Sequence, residues 1–240
     1  AVGSLYAQSS DAEWQMEVAK LKETIQSDPA QAAEQAEQLI KGKKAIVFGP
    51  GVTGKEELLE ILEGVITDAH IPLVIDADGL NILARHTHLL QKAGAPVVLT
   101  PHPGEMSRLM GITPAQVQSA RVDIAREAAR KFNAVVVLKG ADTVTAAPQG
   151  HIFINSSGGP VLATAGTGDV LAGAIGGLLA QGLEPAAASL CGVFIHGLAG
   201  DLIAQKTGSR GAVAGDVLET LPLALKRLEN PTAVSGWETE

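Results

Sequence analysis

The sequence predicts a single α/β domain of three αβα layers, in which a largely parallel central sheet lies between helices. The first observation is that short apolar runs alternate with amphipathic helical segments, an order that requires crossover connections and so favours parallel strands. The second is the composition: of 240 residues, 46% are hydrophobic but only 3% are aromatic. A core of Ala, Val, Leu and Ile suits a buried parallel sheet under closely packed helices.

A polar segment precedes the first apolar run. Residues 10–40 are rich in Gln, Ala, Glu and Lys and predict one or two surface helices. We therefore expect residues 1–43 to form a helical segment packed on an α/β domain of residues 44–240. Four runs of strand length follow, namely KAIVFG, PLVIDA, APVVLT and AVVVLKG.

The later elements carry their own local signals. Residues 113–132 begin with TPAQ, a capping box with Pro at the first helical position, and predict a helix. Residues 143–155 predict a β-hairpin whose turn holds Pro148, Gln149 and Gly150. Three more helices are predicted over residues 169–181, 185–205 and 215–228.

Composition also restricts the class of partner and the compartment. The formal net charge is −8 and Lys and Arg are not clustered, which argues against a nucleic-acid-binding surface. Cys191 is the only cysteine, which excludes an intramolecular disulfide, and its neighbours predict a buried apolar helix. The sequence shows no leader pattern and no uninterrupted apolar run of membrane-spanning length. We expect a cytoplasmic protein that binds no membrane.

A possible phosphate loop begins at Gly49. Residues 49–55 satisfy the first seven positions of the pattern G-x-x-x-x-G-K-[ST], but Glu56 stands where a hydroxyl should bind the metal. A carboxylate at that position would face the phosphates of the nucleotide. We therefore expect a turn between a strand and a helix, with Lys55 as an exposed helix residue.

A stronger anion site is predicted where the segment AGTGDVLAG opens a helix. Free backbone N–H groups and the helix dipole favour an anion there, and Gly166 and Gly168 allow a phosphate to approach the backbone. Asp169, in the first turn, could accept the proton of a hydroxyl that attacks a phosphoryl group. The alternative is that Asp169 is only a favourable charge at a helix N-terminus, and Gly173, Gly176 and Gly177 are expected to serve only packing.

These residues carry a resemblance. GTGD before a small-residue helix resembles the ribokinase-like superfamily, and VIDADGLNIL, TPHPGEMSRL, VLKGADTV and GPG, over about residues 44–228, resemble the ADP- or ATP-dependent NAD(P)H-hydrate dehydratase family. The resemblance implies a ribokinase-like fold and a lyase that repairs hydrated NADH and NADPH. Such an enzyme phosphorylates the ring hydroxyl with ADP or ATP and Mg²⁺, after which phosphate leaves and the ring double bond returns. It also implies a homo-oligomer, often a tetramer.

The resemblance also implies roles for individual residues. Asp169 matches the catalytic base, and Gly51 and His102 match positions that contact the hydrated nicotinamide. Apart from the resemblance, Asn81 and Asp78 are expected to shape the site. Glu105 resembles the acidic position that organises Mg²⁺, although it could simply favour the start of a helix. The nucleotide site is matched by Lys139, Gly140, Ala141, Asp142, Thr143, Gly166, Thr167 and Gly168.

Several polar residues keep two interpretations. His102 could be only a structural hydrogen bonder in a Pro-rich turn, and Lys139 could merely end a strand. Asp76 and Asp78 could hold metal-bound water or cap the following helix. A first-turn helix charge is expected at Asp216, and no metal-ligand spacing is seen for the remaining histidines, which are His86, His88, His151 and His196.

The chain departs from the family pattern in two places. The strand and Gly-rich segment that usually precede the matched region have no counterpart among the first 40 or so residues, and GPGVTGK differs from the commoner GPGLG. Two alternatives to the dehydratase stay open. One is a ribokinase-like kinase for a small alcohol such as a vitamin precursor, although such kinases usually carry Asn where His102 stands. The other is a catalytically inactive nucleotide-binding relative.

Overall fold

The computed structural model describes Thr24, residues 29–51 and residues 58–229. The first half of this part contains α1 (Pro29–Ile40), β1 (Ile46–Phe48), α2 (Leu59–Thr67), β2 (Leu73–Ile75), α3 (Ala77–Leu83), a 3₁₀ helix (Thr87–Lys92), β3 (Val97–Leu99), α4 (Pro103–Met110), α5 (Pro114–Ser119) and α6 (Arg121–Phe132). The second half contains β4 (Val135–Leu138), β5 (Val144–Ala146), β6 (Ile152–Ile154), a 3₁₀ helix (Pro160–Leu162), α7 (Thr167–Ala180), α8 (Pro185–Thr207) and α9 (Ala214–Glu229).

The described strands form one sheet in the order β1-β2-β3-β4-β5-β6. Neighbours from β1 to β4 run parallel, with Val47 opposite Val74 and Val74 opposite Val98. The last two pairings are antiparallel because β5 and β6 form a hairpin. The prediction of a largely parallel sheet built from four apolar runs is confirmed, and so is the hairpin over residues 143–155.

Helices cover both faces of the sheet, and the side chains of each parallel strand alternate between the two resulting cores. One face carries Ile46, Leu73, Ile75, Leu99, Val136 and Leu138 against α1 to α6. The opposite face carries Val47, Val74, Val98 and Val137 against α7 and α8. A third apolar cluster joins α8 to α9. The three-layer αβα architecture is therefore confirmed.

The helix predicted over residues 113–132 is interrupted. Its start is as expected, because Thr113 and Gln116 form a reciprocal capping box ahead of Pro114. Ala120, however, has φ −143° and ψ 42°, which ends α5 and begins α6. The prediction of one continuous helix was wrong at this residue. The three later helices lie close to their predicted ranges.

Helix α8 corrects two expectations. It has 23 residues and is long and apolar enough to cross a membrane by length and composition alone. A core helix of a folded domain passes the same test, and 56% of its most apolar window is buried inside this fold, against α7 and α9. Cys191, expected within a buried helix, is exposed on the surface of α8.

The N-terminal segment is only partly described. Helix α1 packs on α2, and Ala36 joins the core with 6% of its surface exposed. A domain boundary near residue 43 stays a prediction. Glu56, which argued against a phosphate loop, and Lys55, expected to be an exposed helix residue, lie outside the described residues.

Candidate active site

A glycine or a polar residue follows each parallel strand, and the sheet brings these residues to one edge. Gly49 follows β1, Asp76 follows β2, His102 follows β3 after a short extension and Lys139 follows β4. Because the four strands are parallel, their carboxyl ends meet at this edge, which is where ligands bind in open α/β sheets. Backbone hydrogen bonds extend the pairing past the strands, from Asp76 to Phe48 and from Lys139 to Pro101.

A close backbone approach explains why Gly49 is a glycine. Its φ is +122°, and a Cβ atom built on it would lie 1.8 Å from the carbonyl oxygen of Asp76. That carbonyl accepts a hydrogen bond from Gly79 N at 3.0 Å and thereby helps to start α3. Gly49 therefore allows β1 and the turn after β2 to meet without a side chain between them.

The closest charge pair at this edge joins Asp76 to Lys139. Lys139 Nζ lies 2.5 Å from Asp76 Oδ1 and 3.9 Å from Glu105 Oε2. A Cβ atom built on Gly168 would lie 3.4 Å from Lys139 Nζ, so the ammonium lies against the first turn of α7. The structure thus brings together Lys139, Glu105 and Gly168 from the predicted set, and adds Asp76.

His102 begins α4 and also presents one ring nitrogen to the site. Its Nδ1 accepts hydrogen bonds from Gly104 N at 2.9 Å and Glu105 N at 3.3 Å, which leaves the proton of the neutral ring on Nε2. Burial lowers the pKa of His102, and the positive charges of Lys139 and Arg108 lower it further against an opposing effect of Asp76. The neutral ring therefore offers an N–H donor near Glu105 Oε1, 3.4 Å away.

Glu105 completes the capping box of α4. Its Oε2 accepts the backbone N–H of His102 at 2.7 Å, and only 5% of its surface is exposed. Burial raises the pKa of Glu105 to about 7, with Asp76 acting in the same direction and Lys139, the His102 hydrogen bond and Arg108 acting against it. The structural interpretations of His102 and Glu105 are both confirmed. Glu105 also lies beside Lys139, with 3.9 Å between its Oε2 and the Lys139 Nζ.

The loop of residues 139–143 has a conformation that depends on glycine. Gly140 has φ +141°, and a Cβ atom built on it would lie 2.9 Å from Arg121 Nη1. Arg121 donates hydrogen bonds to the carbonyl oxygens of Leu138 and Lys139, and Thr143 Oγ1 donates to Gly140 O at 3.0 Å. The guanidinium therefore holds the predicted nucleotide loop in place.

The first turn of α7, where the sequence predicts an anion site, has a defined local geometry. Gly166 precedes the helix with φ +87°, and Thr167 Oγ1 donates to the carbonyl oxygens of Leu162 and Thr164, at 2.7 and 2.8 Å. Asp169 lies exposed in this turn, one residue beyond Gly168. The helix has 14 residues, so its N-terminal N–H groups and dipole favour a bound anion.

Two residues of α8 that the sequence did not single out for the site brace this region. His196 is buried, and its Nε2 lies 2.9 Å from the carbonyl oxygen of Thr167. Burial lowers the pKa of His196, the Thr167 hydrogen bond opposes this effect and Lys139 adds to it. Asp201 Oδ2 accepts the backbone N–H of Gly158 at 2.9 Å. The positions of His196 and Asp201 within an apolar helix do not indicate that they bind Thr167 and Gly158.

The remaining predicted residues are placed as follows. Asn81 donates to Asp78 Oδ1 at 3.0 Å and accepts from Arg108 at 3.1 Å, so it links α3 to α4. Asp216, in the first turn of α9, accepts the N–H of Val213 at 2.8 Å, which confirms its structural role. Gly51 is exposed with φ +72° beside residues 52–57, which are not described. The substrate roles of Gly51 and Asn81 stay predictions.

Within the described ranges, no cluster of three or more His, Cys, Asp or Glu side chains could hold a metal ion. Mg²⁺ usually retains several waters and binds through one or two carboxylates together with substrate phosphates. Glu105, which lies 3.9 Å from Lys139 Nζ, could supply one such carboxylate, whereas the described residues offer no all-protein cage.

The chain is similar to a known protein family and to individual proteins of known structure. A family model described as NAD(P)H-hydrate dehydratase matches residues 5–223, so the similarity begins earlier than the expected residue 44. The chain is 46% identical over 184 residues to a bifunctional NAD(P)H-hydrate repair enzyme from Moorella thermoacetica, covering 77% of this chain but 35% of that relative.

Two solved structures extend the comparison. The ADP/ATP-dependent NAD(P)H-hydrate dehydratase from Bacillus subtilis, co-crystallised with ATP and Mg²⁺, is 36% identical with a TM-score of 0.72, covering 77% of this chain and 64% of that one. A ribokinase-like superfamily protein from Enterococcus faecalis is 29% identical with a TM-score of 0.67, covering 84% and 68%. The fold is therefore ribokinase-like. The family model spans most of the chain, and the chain belongs to the NAD(P)H-hydrate dehydratase family.

Proposed function

We propose that this chain dehydrates hydrated NADH and NADPH with ADP or ATP as phosphoryl donor, and so repairs the damaged cofactors. The observation that carries the proposal is the meeting of Lys139, Glu105 and Gly168 at the carboxyl edge of the sheet, with Asp169 on the same helical turn. The family membership and the names of the relatives support this reaction over a small-alcohol kinase.

The first chemical step is phosphoryl transfer. The ring hydroxyl of the substrate gives its proton to Asp169 as its oxygen attacks the terminal phosphorus of the nucleotide. The bond from that phosphorus to the leaving nucleotide breaks, so ADP yields AMP and ATP yields ADP. The N-terminal N–H groups of α7 and the Lys139 ammonium stabilise the charge that develops on the transferred group.

The second step is elimination. Phosphorylation converts the hydroxyl into a good leaving group, so the carbon–oxygen bond breaks, phosphate leaves, and a proton lost from the neighbouring ring carbon restores the double bond. His102 offers its Nε2–H, and Gly51 an exposed backbone, for contacts that hold the hydrated nicotinamide. Residues 139–143 form the nucleotide loop.

Magnesium is part of the proposal. Glu105 would hold the ion together with the phosphates, and the ion would neutralise phosphate charge during transfer. Cytoplasmic location and a homo-oligomer, such as a tetramer, are also proposed. The single cysteine is consistent with a reducing compartment. The chain spans about a third of the length of the bifunctional relative, so the activity of the whole protein is itself a proposal.

The test is recovery of reduced-nicotinamide absorbance from hydrated NADH with Mg²⁺ and either ADP or ATP, using this 240-residue chain. Recovery with one nucleotide, matched by equal release of phosphate, would support the proposal and identify the donor. A stable phosphorylated product without recovered NADH would favour the kinase class. Nucleotide binding without any turnover would favour the inactive relative.

A further inference from the structure

The Asp76 carboxylate does not serve the helix that it precedes. Asp76 occupies the N-cap position of α3 with an extended backbone, at φ −136° and ψ 172°, where an Asp side chain ordinarily accepts a hydrogen bond from the first turn. No such bond is made. The carboxylate instead accepts from Lys139 Nζ at 2.5 Å, across 63 residues of sequence, with 1% of the Asp76 surface exposed.

The other oxygen of this carboxylate faces the anion site. Asp76 Oδ2 is buried and has no hydrogen-bond partner among the described residues. It lies 3.8 Å from the position of a Cβ atom built on Gly168, and Lys139 Nζ lies 3.4 Å from the same position. Both charged atoms therefore lie beside the first turn of α7. A buried polar atom without a partner is uncommon and often marks a functional position.

The Lys139 ammonium is held chiefly by Asp76. The second carboxylate, Glu105, lies 3.9 Å away, beyond hydrogen-bond distance. The side chain of Lys139 is 19% exposed, and a lysine stem has four rotatable bonds. Without an anchor its charge would sample many positions, and a charge that must reorganise during a reaction stabilises the transition state less well.

We propose that Asp76 is a positioning residue that fixes the Lys139 ammonium at the first turn of α7, facing the phosphoryl group during transfer. This inference rests on the function proposed above. Gly168 is part of the arrangement, because a side chain there would contact Lys139. Asp76 acts through Lys139 and does not touch the reacting atoms.

A double-mutant cycle tests the inference. The variants are Asp76→Asn, Lys139→Met and the double variant, with Asp123→Asn as control. Asp123 pairs with Arg126 at 2.6 Å but is 77% exposed. It is therefore an ion-paired aspartate like Asp76, but on the surface. Asp76→Asn should lower kcat by roughly ten-fold or more in the wild-type background and by less than two-fold in the Lys139→Met background. Asp123→Asn should leave kcat unchanged in both backgrounds.

Two outcomes would overturn the inference. If the losses from Asp76→Asn and Lys139→Met multiply, Asp76 acts independently of Lys139. If excess Mg²⁺ restores Asp76→Asn to the wild-type rate, the carboxylate serves the cation. Should Asp76→Asn fail to fold, Asp76→Glu keeps the charge and displaces it by one methylene group. Asp76→Glu should lower kcat in the wild-type background but not in the Lys139→Met background. A loss of kcat in the Lys139→Met background would contradict the inference.

Calorimetric titration with Mg²⁺–ADP and Mg²⁺–ATP separates this inference from the reaction. Asp76→Asn should weaken nucleotide binding by roughly five-fold, and only when Lys139 is present. This coupling supports the inference even if hydrated NADH is not the substrate. Tighter binding by Asp76→Asn would mean that Asp76 competes with phosphate for Lys139, which would overturn the positioning role.

Discussion

The Nε2 atom of His196 lies 2.9 Å from the carbonyl oxygen of Thr167, so a side chain of α8 fixes the first residue of α7. The contact joins α8 to the turn of α7 that carries Gly168 and Asp169. Both partners are buried, with 7% of His196 and 6% of Thr167 exposed. The orientation of this turn therefore depends on a residue outside the predicted site.

Replacing His196 with Leu should destabilise the protein and slow turnover. The substitution removes one of the hydrogen bonds to the Thr167 carbonyl, which costs about 0.5–1.5 kcal/mol in the free energy of unfolding. His196→Gln can still donate from its amide and should lose less. Urea unfolding and kcat, measured together on the three proteins, check this. Equal losses for the two variants would show that packing matters and the hydrogen bond does not.

Asp169→Asn should abolish turnover while nucleotide affinity stays nearly constant. The amide cannot accept the proton of the substrate hydroxyl, and removal of a general base lowers kcat by on the order of a thousand-fold. Single-turnover kinetics and calorimetric titration with nucleotide measure the two quantities separately. A variant that keeps a near-normal rate would remove Asp169 from the role of base.

Glu105 should make the stability of the nucleotide-free protein fall as pH rises. Its pKa is raised to about 7 from the usual 4.5, so between these values the folded state binds more protons than the unfolded state. The free energy of unfolding contributed by this group is therefore present below its unfolded pKa and lost as pH rises through its folded pKa.

The comparison that isolates this effect is wild type against Glu105→Gln in the presence of a chelator. The Gln side chain imitates the protonated acid and does not titrate. Wild type should match the variant near about pH 5 and be the less stable of the two near about pH 8. A difference that does not change with pH would mean that Glu105 titrates at its ordinary value.

Adjacent glycines in α7 should respond in opposite ways to alanine. A Cβ atom on Gly176 would lie 2.4 Å from Val47 Cγ2, in the core between helix and sheet, whereas a Cβ atom on Gly177 meets nothing within 4 Å. Gly176→Ala should cost about 1–3 kcal/mol. Gly177→Ala should stabilise by up to about 1 kcal/mol through helix propensity. Urea unfolding of both variants measures the contrast, and similar effects would contradict this packing.

Sequence patterns predicted the sheet well because its strands are short, continuous and β-branched, and its turns carry Gly and Pro. Helix ends were less predictable, as Ala120 shows: no residue there is a helix breaker, yet the backbone leaves the helical region. Cys191 shows a similar limit, because an apolar helix packed on several sides still leaves one side exposed.

The candidate site was proposed from the sequence where its signal is local. Gly166, Gly168 and Asp169 are neighbours in sequence, and His102 and Glu105 form a capping box over four residues. Asp76 and Lys139 are 63 residues apart, and the sequence alone gave Asp76 no relation to Lys139. Their pairing follows from strand order. The bond from His196 to Thr167 depends on how two apolar helices pack, which composition does not encode.

The shared edge of β1 to β4 has a consequence for the order of folding. A separate part of the candidate site follows each of these strands, and each strand joins its neighbour through a crossover, so no short segment contains the whole candidate site. A partly folded chain could bury much apolar surface and yet lack the Asp76–Lys139 pair. Recovery of nucleotide affinity during refolding should therefore lag behind recovery of helical signal, and the ligand would report completion of the sheet.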